Sequence, residues 1–143
     1  MQTSILLSIK PEFAEAIFAG TKKFEFRRAI FRNPDVDRVI VYASSPVCKV
    51  MGEFEIGGVL DLLVNDLWDQ TRSWAGIDKT YFKDYFRGKR KGYALKVLKP
   101  KKFSEPLSLQ EIYGIEHPPQ SFRYVMKADR SAAEKRRTAK LAA

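Results

Sequence analysis

The spacing of apolar residues changes twice in the first thirty positions, and the changes predict a strand, a helix and a second strand. Residues 3–9 are continuously apolar or small, which is typical of a buried strand. Apolar residues then recur at helical spacing over 11–19, with Pro11 where a first helical residue is tolerated and Gly20 where a helix ends. Residues 23–27 alternate charged and aromatic side chains, which predicts a half-buried strand with its charged residues on the polar face.

The rest of the chain repeats such short blocks. Asn65 and Asp78 precede two amphipathic segments as helix caps, and Gly57-Gly58 predicts a bend inside a long alternating strand. The predicted elements that follow the second strand are strands at 37–43, 49–60 and 92–99 and helices at 66–73, 79–87 and 107–113. Few segments could connect parallel strands. The order therefore predicts a mostly antiparallel α+β domain or a small open barrel.

The end of the chain has a different character. Residues 127–143 are rich in Ala, Lys, Arg and Glu and lack a packing stripe, so a basic C-terminal tail, helical or disordered, is predicted there. Residues 1–126 are then the folded domain. A basic tail of this kind could contact a protein partner.

The amino-acid composition excludes several classes of protein. The 143 residues are 45% hydrophobic and 13% aromatic, which is enough for one core and argues against a disordered chain. No apolar run reaches the length of a membrane helix, and Ile5-Leu6-Leu7 is too short for a signal peptide. A single cysteine, Cys48, excludes a disulfide within the chain and a multi-cysteine zinc site. A soluble cytoplasmic protein with no membrane partner is expected.

The charge narrows the choice of partner. Lys and Arg number 26 against 17 acidic residues, and the formal net charge is +9. Such an excess attracts polyanions, with nucleic acid before an acidic membrane surface. The alternative is that the charge serves only solubility.

One motif carries chemical information, and it has the pattern G-x-K-x-x-E-x-R. Gly20 ends the first helix and allows a sharp turn that presents Lys22. Glu25 and Arg27 lie two residues apart on one strand face, about 6.6 Å from each other at the usual rise. An acid between two bases suits a site that binds phosphate and orients a polar base edge. A solvated strand face with a surface ion pair would show the same pattern.

The segment Gly20-Thr21-Lys22-Lys23-Phe24-Glu25-Phe26-Arg27, after a helix and an N-terminal Leu-Leu-Ser-Ile-Lys strand, resembles the signature of ASCH domains. The resemblance covers about residues 1–115. It implies a PUA-like fold, a small mostly antiparallel β-barrel with flanking helices. It also implies RNA binding in a cleft beside the motif, with a regulatory role in transcription or translation. RNA or another single-stranded nucleic acid is therefore the expected partner, and no cofactor is expected.

The same resemblance implies an alternative, a hydrolase acting on RNA or on a modified nucleoside. One bacterial branch hydrolyses acetylcytidine with a lysine, a threonine and a glutamate. Lys22 matches that lysine, but Glu25 replaces the threonine, and no acid stands near Trp74 where the glutamate would fall. Lys22 and Glu25 are the catalytic candidates if the protein is an enzyme. Other members are metal-dependent ribonucleases, for which a divalent metal could be held by Glu25, Glu53 and Glu55.

Further polar residues could extend a nucleic-acid site. Ser44 and Ser45 end a strand before Pro46, where hydroxyls could donate to phosphates, although serines are ordinary in such a turn. The basic run from Lys89 could contact phosphates or merely protect a strand edge. The predicted nucleic-acid-binding set comprises Lys22, Lys23, Glu25, Arg27, Arg28, Ser44, Ser45, Lys89, Arg90 and Lys91.

Overall fold

The structure is a computed structural model that describes residues 3–142, with the side chains of all of these except 127, 128, 130 and 140–142. It contains six strands and five α-helices in the described part. The strands are β1 (Thr3–Ile9), β2 (Phe24–Arg27), β3 (Val36–Ala43), β4 (Lys49–Leu63), β5 (Lys91–Leu107) and β6 (Phe122–Met126). The helices are α1 (Pro11–Ala19), α2 (Val64–Thr71), α3 (Lys79–Tyr85), α4 (Leu109–Tyr113) and α5 (Lys127–Ala142). No helix among residues 3–142 is both long and apolar enough to cross a membrane.

All six strands belong to one sheet in the order β2-β5-β4-β3-β1-β6. Only β1 and β3 pair in parallel, and the other neighbours are antiparallel. The α+β class is therefore confirmed. The predicted barrel is not closed, because the edge strands β2 and β6 do not pair within the described residues. They approach each other at one end, where Arg27 Nη2 donates to the Ser121 carbonyl at 3.0 Å.

Local signals placed several boundaries correctly. Helix α1 begins at Pro11 and ends at Ala19, and the next residue, Gly20, has a φ of +84°, the left-handed conformation that glycine adopts easily. Asp78 caps α3 by accepting from the Tyr81 backbone N–H at 2.8 Å. The cap predicted at Asn65 is wrong, because α2 already begins one residue earlier and the Asn65 side chain accepts from Lys83 Nζ instead.

The tail was predicted to lack residues that pack on the domain, but one small residue of α5 does so. Ala133 on α5 is 3% exposed and packs with Leu107 and Ile112. Arg136 donates to the Ile112 carbonyl, and the Arg137 guanidinium lies 3.9 Å from the centre of the Phe103 ring. Residues 127–142 are thus helical and contact the domain. Whether residues 1–126 fold without them stays a prediction.

Candidate binding cleft

A cavity of about 240 Å³ opens beside β2, near the end where the sheet edges approach each other. We call it the cleft. It combines an aromatic wall with a cluster of charged groups. Its lining residues are Ser8, Lys10, Phe13, Lys22, Glu25, Phe26, Arg27, Ile77, Tyr81, Tyr85 and Gln120.

Lys22 is the most unusual member of the lining, because a lysine predicted at an exposed turn is only 1% exposed. Its Nζ donates to the Ala75 carbonyl at 2.6 Å. The same ammonium lies 4.8 Å from the ring centre of Phe26 and 5.3 Å from that of Phe13. Burial lowers the pKa of Lys22, and attraction by the nearby Glu25 carboxylate opposes that effect.

Two turns hold Lys22 in place. After Gly20, the backbone N–H of Lys22 still donates to the Ala16 carbonyl, which keeps the residue against the end of α1. The segment before α3 then covers its side chain. Gly76, with a φ of +68°, lies directly on this side chain, and a Cβ at that position would be 2.5 Å from Lys22 Cβ. The close approach therefore depends on a glycine.

Glu25 is also buried, at 6% exposure, although the alternation predicted a polar strand face. That prediction was wrong because both faces of β2 are covered. Phe26 packs against Phe82 and Phe86. Glu25 lies on the other face, opposite Leu95 of β5, which is buried with residues of β1 and α1. Burial raises the pKa of Glu25, while Lys22, then Arg27 and the backbone N–H of Phe26, favour the carboxylate and oppose the rise.

The raised pKa of Glu25 makes stability depend on pH. The unfolded chain loses this proton near pH 4.5, whereas the folded protein keeps it to higher pH. Stability contributed by this group is therefore fully present below pH 4.5 and falls as the pH rises through the folded pKa, by up to about 1.4 kcal/mol per pH unit. We expect Glu25→Gln, which cannot titrate, to lose this slope in urea unfolding between pH 4 and 8. If wild type and Glu25→Gln showed the same dependence of unfolding free energy on pH, the raised pKa of Glu25 would be contradicted.

Arg27 and two tyrosines complete the cleft. Arg27 is half-buried and donates to the Ser121 carbonyl, so it joins β2 to the segment before β6. Tyr85 donates from its hydroxyl to the Phe26 carbonyl at 3.1 Å, and burial raises its pKa. Tyr81 stands edge-on to Phe13 with ring centres 5.1 Å apart. Phe82 and Phe86 are buried in the core, whereas Tyr81 and Tyr85 are half-buried and line the cleft.

Only part of the predicted nucleic-acid-binding set meets in the cleft. Lys22, Glu25 and Arg27 line it. Ser44 follows the interior strand β3, where its N–H donates to the Ile9 carbonyl of β1, but neither it nor Ser45 lines the cleft. The remaining predicted residues lie on outer surfaces and are Lys23, Arg28, Lys89, Arg90 and Lys91.

The three glutamates considered as metal ligands are not brought together. Glu53 accepts from Arg38 Nη1 at 3.2 Å, and a Glu55 oxygen lies 3.9 Å from Lys99 Nζ, whereas Glu25 faces the cleft. Across the described side chains, no group of three or more His, Cys, Asp or Glu residues is placed to hold a metal ion. The carboxylates of this set therefore do not form a metal centre by themselves.

Lys10 and Gln120 also line the cleft, although they lie outside the predicted nucleic-acid-binding set. Lys10 is exposed, and its Nζ lies 5.1 Å from the centre of the Tyr81 ring, while Gln120 enters from the segment before β6. Lys10 ends the Leu-Leu-Ser-Ile-Lys strand that precedes the motif, whereas Gln120 belongs to no motif. The order of elements predicts an antiparallel sheet but does not indicate which strand the last strand pairs with, so the position of Gln120 could not be predicted.

Comparison with known proteins places this geometry in a family. The model of the ASCH domain matches residues 7–107. An ASCH domain-containing ribonuclease of Zymomonas mobilis is 32% identical over 127 residues, which are 87% of this chain and 85% of that protein. The large ribosomal subunit protein uL22 of Ureaplasma parvum is 30% identical over 122 residues, 85% of this chain but 39% of that protein.

A solved structure agrees with the sequence comparison. The crystal structure of ASCH from Zymomonas mobilis superimposes with a TM-score of 0.84 at 31% identity and covers 92% of this chain and 94% of that one. The domain match includes the whole motif from Gly20 to Arg27 and all strands from β2 to β5. The chain belongs to the ASCH domain family.

Proposed function

We propose that this protein binds single-stranded RNA and takes one unpaired nucleotide into the cleft. The observation that carries the proposal is the convergence of Lys22, Glu25 and Arg27 with two tyrosines in one cavity. At about 240 Å³ the cavity is smaller than most small-molecule pockets, which are about 300–1,000 Å³. A single nucleotide projecting from a strand suits such a space, and a duplex does not.

The chemistry of the lining suits a splayed-out base. The aromatic wall offers surface on which a base can stack, which is how proteins usually hold unpaired RNA bases. Glu25 can hydrogen-bond the polar edge of the base. Arg27 and the exposed Lys10, at the rim, can pair with the adjoining phosphates. The net charge of +9 favours the approach of a polyanion.

A second candidate function is hydrolysis of RNA or of a modified nucleoside. The relative from Zymomonas mobilis is described as a ribonuclease, and this chain shares 32% of its residues over the matched length. Lys22, whose pKa is lowered by burial, could then act as a base or nucleophile, with Glu25 as its polar partner. Binding and hydrolysis would use the same cleft.

Fluorescence anisotropy with one single-stranded and one duplex RNA tests the proposal. We expect tighter binding of the single strand and a loss of about 1–3 kcal/mol in Arg27→Ala, the usual scale for a charge-assisted contact. Lys101→Ala is the matched control, because it removes one charge from an exposed position outside the cleft. Equal affinities of wild type, Arg27→Ala and the control would refute the proposal.

The same proteins distinguish binding from hydrolysis. We expect Glu25→Gln to alter selectivity among RNAs of different sequence if the carboxyl group reads a base edge. A hydrolase would instead cleave the bound strand, and Glu25→Gln would abolish cleavage while binding persists. Gel analysis of the recovered RNA, with and without a chelator, reports which occurs.

A further inference from the structure

A second concave surface lies at the opposite end of α3 from its Asp78 cap. It has a volume of about 620 Å³. We call it the basic groove, and it is lined by Leu63, Val64, Asn65, Asp66, Lys83, Phe86, Arg87, Gly88, Lys89 and Arg90.

The groove is a built feature, because backbone hydrogen bonds fix both of its walls. Gly88 turns the chain after α3 with a φ of +81°, and the Lys89 N–H donates to the Phe86 carbonyl at 2.9 Å. The Val64 N–H donates to the Arg90 carbonyl at 3.0 Å, which joins this turn to the first residue of α2. The cationic side chains therefore project from a defined backbone.

Charge in the groove is strongly one-sided. Four cations line it against one acid, Asp66. Two of the cations already have partners, since Lys83 donates to Asn65 and Arg87 pairs with Asp84. Lys89 and Arg90 are exposed, and their side chains have no hydrogen-bond or ion-pair partner among the groups that the structure describes. They are available to an external anion.

The groove is joined to the cleft by adjacent residues. Tyr85 lines the cleft and Arg87, two positions later, lines the groove. From β2, Arg27 lines the cleft, while the next residue, Arg28, donates to the Arg87 carbonyl at 3.3 Å. A ligand leaving the cleft past Arg27 thus meets a continuous series of cationic residues.

We propose that the basic groove binds the phosphates of the RNA strand that flank the nucleotide held in the cleft. This inference rests on the proposed function and adds a direction to it: the strand runs from the cleft over Arg28 to Lys89 and Arg90. A single strand can follow the bend around the end of α3, whereas a duplex is too stiff to do so. An acidic protein segment would match the charge alone but has no reason to continue into a base-sized aromatic cavity.

The test measures how affinity grows with strand length. Oligouridines of two, four, six and eight nucleotides are titrated against wild type, Lys89→Ala/Arg90→Ala and the control Lys101→Ala/Lys135→Ala. The control removes the same charge from exposed residues on β5 and α5. For the longer strands we expect the groove variant to bind about tenfold more weakly than the control. Its log–log salt slope should be shallower by about 1.4, which corresponds to two lost phosphate contacts on a single strand. The two-nucleotide ligand should bind all three proteins equally.

Each outcome separates the inference from the proposed function. If wild type binds the two-nucleotide ligand without gaining affinity with length, or if the groove variant matches the control, the groove inference is wrong and the cleft proposal stands. If wild type binds no oligouridine, both are wrong. If a poly-glutamate peptide competes with the longer strands at the groove as effectively as RNA of the same charge, the groove is a site for acidic protein segments instead.

Discussion

Gly76→Ala is expected to destabilise the protein by about 2–5 kcal/mol and to abolish RNA binding in the cleft. Two costs add. Gly76 has a φ of +68°, where an L-residue costs about 1–2 kcal/mol. The new methyl group would also lie 2.5–2.9 Å from Lys22 Cβ, Cγ and Cδ, and such overpacking typically costs about 1–3 kcal/mol. Relief requires Lys22 to move, which disturbs its contact with the Ala75 carbonyl.

Gly114→Ala is the matched control. Gly114 has the same φ of +68°, but a Cβ there would meet no atom within 4 Å. It should therefore show the backbone cost alone, about 1–2 kcal/mol in urea unfolding, with RNA binding unchanged. Equal destabilisation by the two substitutions would show that the segment over Lys22 moves to accommodate the methyl group without further cost, and that Gly76 does not position the lysine.

The second large effect is expected from truncating Lys22. The stem of this side chain is fully buried, so Lys22→Ala should cost about 2–5 kcal/mol, as other large-to-small changes in a packed interior do. Lys22→Met fills the same space and places no charge in the interior. It leaves the Ala75 carbonyl without its donor, so the opposing effects should keep the net change within about 1.5 kcal/mol.

RNA affinity separates the two roles of Lys22. If its ammonium contacts the ligand, Lys22→Met should bind RNA about tenfold more weakly while melting near the wild-type temperature. Lys101→Met, the same substitution at an exposed lysine of β5, should change neither property. Wild-type affinity in Lys22→Met would assign Lys22 a structural role and remove it from the proposed site.

The agreement between pattern and structure is closest where the determinant is local. Pro11 marks the start of α1, Gly20 follows its end, and Asp78 caps α3, as the sequence predicted. Each residue acts through its own backbone conformation or on a group within three residues. The bend at Gly57-Gly58 appears as a register shift between Ile56 and Val59. Such features need no knowledge of the rest of the chain.

The length of a strand was underestimated where pairing with a neighbouring strand, and not the residue pattern, sets the strand conformation. Strand β5 was predicted to end at residue 99 but continues to Leu107 through a segment rich in lysine. No hydrophobic alternation marks that extension. It is held by β4, with Glu53 opposite Lys101 and Gly52 opposite Lys102. Cross-strand hydrogen bonds supply the strand conformation there, and the polar sequence does not reveal them.

The sequence by itself determined the family signature, the α+β class and three of the four charged residues that line the cleft. Only the tertiary structure decided that Lys22 and Glu25 are buried. The carbonyl that receives the Lys22 ammonium belongs to Ala75, 53 residues away along the chain. Periodicity records which side chains are polar, but a distant segment that covers a polar face leaves no mark in the pattern of that face. The burial, and with it the shifted pKa values of the pair, therefore arises from long-range packing alone.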